Sequence, residues 1–347
     1  MKKLALTLLK YAVSIGILAW LFWRAAGDDS FAGLRSPDKN WGLLLLAAGF
    51  CVTAITSTIV RWYLLARAIK IPLTLPEALR LGFIGFLFTF LTMGVVGGDL
   101  VKAIFLARKA HGRKTEAVAT VVFDRIIGLY ALFVVCSISI AFFDFSTLDV
   151  ASAGQLTALK TMCWVAVGAA IAGTVGLVVV SLPTFGRSPL WESLTRVPKL
   201  GPFVERITTA VKIYRDMPVL MVVIGAMSLA IHVCFVICVY LIAQGIPGGS
   251  PTLAEHFVVV PMAILANTVP LPGGIGAFEA ALNFLYRAVA PTTVAANRGL
   301  VVALGYRIAT LLVAAIGVFY YLSRRQEVAD LLHEAEQEQQ TGAEAAS

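Results

Sequence analysis

Long runs of apolar residues are the feature that most constrains how this chain can fold. Most of the runs measure about 18 to 27 residues, the length that a helix needs to cross roughly 30 Å of hydrocarbon. Only 14% of the residues are charged, about half the share of a soluble domain. We therefore predict an all-α, polytopic helical integral membrane protein. The runs are Leu4–Trp23, Trp41–Val60, Gly82–Val96, Ala117–Phe143, Thr161–Leu182, Val219–Ala243, Leu253–Ala290 and Gly299–Leu322.

The charges of the loops predict the orientation of these segments. Most of the 28 Lys and Arg residues fall on one side if the chain starts in the cytoplasm, as the positive-inside rule requires. Lys2 and Lys3 precede the first segment, and Arg324 and Arg325 follow the last one. We interpret the first segment as a retained helix rather than a cleaved signal, and we predict a multi-pass protein of the plasma (inner) membrane with cytoplasmic N- and C-termini.

Two of the apolar segments do not fit a single crossing. Gly82–Val96 is basic on both flanks, so Leu79–Arg108 is predicted to be a re-entrant hairpin that enters from the cytoplasm. Leu253–Ala290 starts and finishes outside and is broken at Pro270–Gly276; it forms either two full crossings or a second hairpin from the opposite face. The chain thus has about six full spans plus two Gly/Pro-broken segments. Broken segments in corresponding positions of two halves are typical of inverted repeats, which we hold as a hypothesis.

The domain organisation follows from the same pattern. Residues 1–323 form a single transmembrane domain, and its cytoplasmic connector 183–218 is basic and amphipathic, which favours contact with anionic lipid. The tail 324–347 is acidic and poor in aromatic residues, and we expect it to be partly disordered.

Breaks in a membrane segment predict a polar cavity, because non-helical backbone is tolerated only against protein or water. The residues at the breaks are Gly97, Gly98, Pro272, Gly273, Gly274 and Gly276. A new helix is expected after each break, over Asp99–Ala107 and Ala277–Arg287, with its N-terminal N–H groups directed at the cavity. Such an end favours an anion, above all a phosphate. The alternative interpretation of each break is a packing kink.

Ionisable residues inside the apolar segments mark the candidate binding site. Asp99 and Lys102 share a helix face, although a helix cap and an interfacial lysine would explain them equally well. Asp124, Arg125, Glu279 and Arg307 also lie within or beside apolar segments. A charge there is functional by default, and structural pairing is the rival interpretation. Glu279 or Asp124 is the predicted counter-ion of Arg307.

The sequence shows no pattern of a catalytic or metal site. It has no phosphate-binding loop, no Gly-x-Ser-x-Gly motif, no His-Glu-x-x-His motif and no paired-cysteine metal site. All five cysteines lie in apolar segments, where they are interpreted as packing residues. We therefore expect a protein that is not an enzyme, binds no metal or cofactor and has no nucleic-acid partner; the predicted partners are membrane lipids.

Three stretches together resemble a known family. They are Gly97-Gly98-Asp99 with Lys102, Asp124-Arg125 within Ala117–Leu132, and the run Leu271–Glu279, which reads Pro-Gly-Gly-x-Gly-x-x-Glu from Pro272. In this order they resemble the flippase-like family typified by the transmembrane region of lysylphosphatidylglycerol synthase. Asp124 stands where glutamate is commoner, and Lys102 where arginine is commoner. The synthase's cytosolic aminoacyl-transferase domain has no counterpart in this chain, so the resemblance implies lipid handling without synthesis.

These observations favour a lipid flippase or lipid transporter that binds an anionic phospholipid headgroup in an intramembrane cavity. The alternative is an accessory membrane subunit of a lipid- or polyprenyl-linked glycan biosynthesis pathway, whose cavity only docks a product. A membrane enzyme of lipid biosynthesis would then be a partner. An intramembrane enzyme with Asp99 or Glu279 as a base and an ion-coupled solute transporter are further hypotheses. The candidate binding residues are Gly97, Gly98, Asp99, Lys102, Asp124, Arg125, Pro272, Gly273, Gly274, Gly276, Glu279 and Arg307.

Overall fold

The computed structural model describes residues 32–91, 95–110, 114–145, 153–181, 217–268, 276–289 and 297–323, with a few single residues between them. After a short helical turn, Ala32–Arg35, nine helices follow one another within these ranges. They are α1 Trp41–Ala68, α2 Leu75–Leu91, α3 Val95–Lys109, α4 Lys114–Ala141, α5 Ala153–Ser181, α6 Pro218–Gly245, α7 Leu253–Ala266, α8 Ala277–Val289 and α9 Arg298–Ser323. Every regular element within the described ranges is helical, as predicted.

Five helices, α1, α4, α5, α6 and α9, are long and apolar enough to cross a membrane, with mean hydropathies of 2.1 to 2.6. Their outward sides carry large apolar side chains such as Leu45, Trp164 and Val219, which are 73%, 73% and 77% exposed. A surface of this kind faces lipid rather than water. The chain is a multi-pass membrane protein. The predicted first span, residues 4–23, the tail 324–347 and most of the connector 183–218 lie outside the described residues.

The centre of the bundle is the antiparallel pair α1 and α6. The backbone N–H of Asn40, just before α1, donates to the carbonyl of Gly245 at the end of α6, at 2.9 Å. At the other end, the Tyr214 hydroxyl donates to the Leu65 carbonyl at 3.0 Å. These contacts define two ends of the bundle. We call the end with Leu65 the Leu65 face and the end with Gly245 the Gly245 face.

Helices α2 and α3 form a hairpin that opens at the Leu65 face. Lys109, at the end of α3, forms an ion pair of 2.6 Å with Glu77 in the first turn of α2. Its ammonium also donates to the Pro72 carbonyl, in the segment that follows α1. The hydrogen bond from Lys109, together with one from the Thr74 backbone, lowers the pKa of Glu77 to about 2. The two legs are about 25 Å and 22 Å long. The structure thus pairs α2 and α3 as a helical hairpin, and its re-entrant path through the membrane remains a prediction.

One detail of that prediction is wrong. We expected Gly97 and Gly98 to interrupt the chain and a helix to begin at Asp99, but α3 begins at Val95 and contains both glycines. Gly98 packs against the backbone of Gly85 in α2, so closely that a Cβ atom at position 98 would overlap the Gly85 carbonyl oxygen. A Cβ at Gly85 would likewise lie 2.9 Å from the Gly98 oxygen. These glycines therefore let two helices cross in contact.

Helices α7 and α8 form a second hairpin, which opens at the Gly245 face. The hydroxyl of Tyr286, near the end of α8, lies 2.6 Å from Nε2 of His256 in the first turn of α7. Arg298, the first residue of α9, lies at the same face. Its guanidinium donates to the carbonyls of Ala243 and Ile246 at the end of α6, at 2.8 and 2.6 Å. The described helices of residues 253–290 thus lie side by side, and the choice between a re-entrant hairpin and two full crossings stays a prediction.

The two halves of the chain therefore repeat one arrangement in opposite directions. A long helix, a short hairpin and a second long helix occur first as α1, α2–α3 and α4, and again as α6, α7–α8 and α9. Because α1 and α6 are antiparallel, the hairpins enter from opposite ends of the bundle. This is the architecture of an inverted repeat, with α5 as the additional helix that returns the chain between the halves.

The crossing of Gly85 and Gly98 can be tested by substitution. We expect Gly98→Ala to destabilise the protein by about 1–3 kcal/mol, because the new methyl group overpacks the contact between the two helices. Gly168→Ala in α5 is the matched control, since nothing lies within 4 Å of a Cβ there, and it should be neutral or stabilising by up to about 1 kcal/mol through helix propensity. Unfolding in mixed detergent micelles measures both changes, and equal effects of the two would contradict the close crossing.

The hairpin topology predicts which positions share a side of the membrane. In a background without the native cysteines, Arg67→Cys and Arg108→Cys should react from one side with an impermeant maleimide. Asp38→Cys and Ala254→Cys should react from the other side. All four residues are exposed, and labelling oriented vesicles before and after permeabilisation gives the comparison. Labelling of Arg67→Cys and Arg108→Cys from opposite sides would mean that α2 and α3 together cross the membrane.

Candidate functional site

The deepest part of the site is an ion pair between Arg307 and Glu279. Arg307 lies in the tenth position of α9, about 14 Å along the helix from its start. Its Nε and Nη2 atoms lie 2.8 and 2.7 Å from the same carboxylate oxygen of Glu279. The Glu279 side chain is 1% exposed and that of Arg307 14%. The prediction of Glu279 as counter-ion is therefore correct, and Asp124 is not the partner.

Glu279 also caps the helix that carries it. Its second carboxylate oxygen accepts the backbone N–H of Gly276 at 2.8 Å, and a negative charge in the first turn of α8 is favourable to the helix dipole. Gly276 has a φ of +98°, a left-handed conformation that glycine adopts without strain. Helix α8 begins at Ala277, as the sequence predicts. Pro272, Gly273 and Gly274 lie outside the described residues.

The tip of the first hairpin reaches the same arginine. The ring of Phe90, one residue before the end of α2, lies 5.8 Å from the guanidinium carbon of Arg307, within range of a cation–π contact. Arg307 thus contacts the last turn of α2, in the first hairpin, and the first turn of α8, in the second hairpin. The two interrupted segments meet deep inside the bundle, as the sequence analysis expected.

Arg125 and Asp99 form a second carboxylate–guanidinium pair. The Nη2 and Nε atoms of Arg125 donate to the two oxygens of Asp99, with 2.8 Å for the Nη2 contact. Such two-point pairing is the strong geometry for arginine and a carboxylate. The Arg125 side chain is 44% exposed and that of Asp99 19%, so this pair is much more open than the pair of Arg307 and Glu279.

A third ion pair was missed by the sequence analysis. Arg61 in α1, only 4% exposed, donates from Nε to Asp124 at 2.8 Å and from Nη1 to the Ser228 hydroxyl at 2.9 Å. We ended the span at Val60 and assigned Arg61 to a basic cytoplasmic segment, but α1 continues to Ala68. The signal that was available is the apolar Trp62, Leu65 and Ala66 directly after it, because a lone arginine between apolar turns belongs to the helix.

Lys102 lies beside these pairs but takes part in none of them. It is 7% exposed, and its ammonium lies over the ring of Trp62 in α1, 5.6 Å from the ring centroid. Both neighbouring ion pairs, of Asp99 and Arg125 and of Asp124 and Arg61, interact with it electrostatically. It has no hydrogen bond or ion pair within the described part of the chain.

Two further polar side chains connect helices through hydrogen bonds. Nε2 of His232 lies 2.8 Å from the Gly128 carbonyl and joins α6 to α4. The side chain of Asn283 accepts the Leu300 N–H at 3.1 Å and connects α8 to α9. Asn267 ends α7 as its C-cap through its backbone N–H, and its buried side-chain oxygen has no hydrogen-bond partner within the described residues. Interhelical hydrogen bonding is the ordinary role of such residues in membranes.

Comparison with known proteins identifies the family. A family model described as the lysylphosphatidylglycerol synthase TM region matches residues 7–317. The chain belongs to this family. The match spans both inverted halves and all three ion pairs, so the resemblance inferred from the motifs is confirmed for the chain as a stand-alone transmembrane region. Neither a curated protein nor a solved structure matches the chain.

The membership supports a coarse functional statement. The protein is a membrane protein related to the transmembrane part of a lipid-modifying synthase. In this member, the ion pair of Arg307 and Glu279 lies where the two hairpins meet. Paired charges inside a membrane protein are candidates for function, with structural pairing as the rival interpretation.

The pair of Arg307 and Glu279 can be tested by a double-mutant cycle. Arg307→Met and Glu279→Gln should each destabilise the protein by about 3 kcal/mol, because each leaves a buried charge without its partner. The double variant should lose clearly less than the sum of the two. Asp99→Asn is the matched control at the open pair and should cost about 1 kcal/mol or less, since solvent screens a half-exposed arginine. Additive losses at Arg307 and Glu279 would contradict their pairing.

Proposed function

We propose that this protein is a lipid transporter of the flippase type, which takes an anionic phospholipid headgroup into the middle of the membrane between its two hairpins. The observation that carries the proposal is the contact of both hairpins with Arg307, at mid-depth and from opposite faces. Hairpin tips inside a bilayer leave backbone groups that need protein or a polar cavity around them. A headgroup in transit needs the same surroundings.

The inverted repeat supports a transport cycle in which the two halves exchange roles. In transporters with this architecture, one repeat rocks against the other around a central site. The two carboxylate–arginine pairs occupy corresponding places but differ in exposure. The side chains of Arg125 and Asp99 are 44% and 19% exposed. Those of Arg307 and Glu279 are 14% and 1% exposed. We infer that the first half is open in this conformation and the second half is closed, and that the headgroup passes from one side to the other as these states interchange.

The predicted binding residues have distinct parts in this proposal. Asp99, Asp124 and Glu279 hold arginines in place, and the positive charge near the headgroup comes from the first half. The glycines that cross at Gly98 and Gly85 let the hairpin legs approach closely, which keeps the hairpin a compact unit that can move as one body. Pro272, Gly273 and Gly274 remain predicted to line the tip of the second hairpin.

The surroundings of the protein follow from the same proposal. The Leu65 face would lie in the cytoplasm, since it carries the basic segments near Arg67 and Lys109, and the positive-inside rule places such segments there. The protein would then reside in the plasma (inner) membrane with both termini cytoplasmic. Its partners would be membrane lipids, and a membrane enzyme of lipid biosynthesis would supply or consume the transported lipid.

Transport can be measured directly in vesicles. We expect purified protein in proteoliposomes to move a fluorescent phosphatidylglycerol between leaflets, detected by quenching with an impermeant reductant. Arg307→Ala should lower the rate by at least ~10-fold, the equivalent of about 1.4 kcal/mol in the barrier, because Glu279 is then left charged and unpaired at the hairpin junction.

The control is Lys160→Gln, which removes an exposed positive charge beside the Phe145 ring, far along the chain from both hairpins. It should retain the wild-type rate. Wild-type protein that moves no labelled lipid, or an Arg307→Ala variant that is fully active, would refute the proposal.

A further inference from the structure

Arg298, the first residue of α9, is a buried cation whose hydrogen bonds within the described residues all go to backbone carbonyls. It is 3% exposed. The negative end of a helix dipole suits a guanidinium, and these contacts hold the start of α9 against the end of α6. The acceptors, at 2.6 to 3.4 Å, are the carbonyls of Ala243, Ile246, Pro247, Gly248 and Gly249.

The turn after α6 fits this guanidinium closely. Gly248 has a φ of +120°, a left-handed conformation that glycine adopts without strain. A Cβ atom at this position would lie 3.2 Å from Nη1 of Arg298. The turn therefore presents its carbonyls to Arg298 and leaves out the side chain that would crowd the guanidinium.

The other helices of the second half are joined at the same end of the bundle. The Asn283 side chain accepts the Leu300 N–H at 3.1 Å and connects α8 to α9. The Tyr286 hydroxyl, which lies 2.6 Å from Nε2 of His256, connects α8 to α7. Arg298 then fastens α9, and with it α8, to the end of α6.

An aromatic layer lies between Arg298 and the hairpin junction. Tyr306 in α9 packs against Phe278 of α8 and Phe235 of α6, with ring centroids 4.9 and 6.4 Å apart. These rings fill the space between the same helices that Arg298 holds together at the Gly245 face. The second half is thus closed at two levels above its ion pair.

The mouth of the first half is more open. Lys109 and Glu77, which join the legs of the first hairpin, have side chains 26% and 30% exposed. Helix α4 begins with exposed residues at positions 114 and 115, whereas the first three residues of α9 are buried. The difference in exposure between the two carboxylate–arginine pairs therefore continues out to the two mouths.

We propose that Arg298 is the latch of the Gly245 face: its hydrogen bonds to the end of α6 hold the second half closed, and their release lets α8 and α9 move away from α6. This inference rests on the proposed transport cycle and names a contact that has to break when the second half opens. A guanidinium bound to carbonyls alone suits this role, because its release leaves no buried carboxylate without a partner. Arg298 is a positioning residue, since it acts on Arg307 through about 14 Å of helix.

The test measures the reactivity of a buried cysteine that opening would expose. Val302 is fully buried, and helical spacing places it on one side of α9 with Arg298 and with Gly305. A Cβ atom at Gly305 would lie 2.6 Å from the Ile242 side chain of α6, so this side of α9 faces α6. In nanodiscs, and in a background without the native cysteines, Val302→Cys should react slowly with a water-soluble maleimide.

Loss of the latch should expose this cysteine. Adding Arg298→Met should raise the reaction rate at least ~10-fold, because an open state of low population becomes more populated when the closed state loses its contacts. Arg298→Lys keeps the charge but lacks the planar fork of donors, and it should give an intermediate rate. Gly248→Ala keeps Arg298 and crowds its guanidinium, so it should raise the rate in the same direction and carries the test if Arg298→Met does not fold.

Two controls separate a latch from a general effect on stability. Ala117→Cys is the matched reporter in the first half, since Ala117 is also fully buried, near the start of α4. Arg298→Met should leave its rate unchanged. Lys160→Met removes an exposed positive charge and should change the rate of neither reporter.

An unchanged rate at Val302→Cys after Arg298→Met, or after Gly248→Ala where the first variant does not fold, would overturn the inference. An equal rise at both reporters would also overturn it, because Arg298 would then only stabilise the bundle as a whole. Failure of the transport function is a separate result, since the cysteine reaction needs no lipid. A protein that moves no labelled lipid but shows the rise at Val302→Cys would refute transport and leave the latch.

Discussion

The ion pair of Arg307 and Glu279 is the contact on which the arrangement of the two hairpins depends. An arginine at mid-depth in a membrane helix needs a partner, and a helix that starts inside the bilayer needs its first N–H groups satisfied. One carboxylate meets both needs, since one of its oxygens accepts from Arg307 and the other from the Gly276 N–H. The ring of Phe90, at the tip of the first hairpin, contacts the same guanidinium. At this junction both hairpins therefore contact one and the same side chain.

The inverted repeat extends to individual charged residues. In each half a carboxylate near the start of the second hairpin leg pairs with an arginine in the long helix that follows. The residues are Asp99 and Arg125, 26 positions apart, and Glu279 and Arg307, 28 positions apart. The residues before the two arginines differ, however. Asp124 forms the ion pair with Arg61, whereas Tyr306 packs among aromatic rings, 4.9 Å from Phe278 and 6.4 Å from Phe235 between centroids. Each half thus has a carboxylate–arginine pair between its hairpin and its last long helix, but only in the first half does the residue before the arginine form an ion pair.

Much of this arrangement could be predicted from the sequence, because bilayer thickness and loop charge leave few alternatives. Basic residues on both flanks of Gly82–Val96 were enough to predict a hairpin, and the Pro-Gly-Gly run was enough to place the start of α8 at Ala277. The partners of the charges were harder to predict. Asp124 and Arg125 are neighbours, yet each pairs with a residue on a different helix, and pairing across helices depends on a packing that periodicity does not encode. Arg61 was missed because α1 continues two turns beyond the apolar run that defined it.

The glycines show a similar limit. Gly97 and Gly98 were interpreted as a break, since glycine lowers helix propensity. In the structure both lie within a continuous helix, and Gly98 allows a close helix crossing. Sequence alone does not distinguish these two uses, because both require the absence of a side chain. The neighbouring helix decides between them, and here Gly85 lies opposite Gly98.

The two halves also differ in the residue that lies one helical turn after the carboxylate. Lys102 follows Asp99 by three residues, and the residue three after Glu279 is Leu282, which is fully buried in the apolar core. In the proposed transport cycle, an anionic headgroup would meet a buried cation in the first half and an apolar side chain at the corresponding place in the second. The affinity for an anion would then differ between the two sides of the junction.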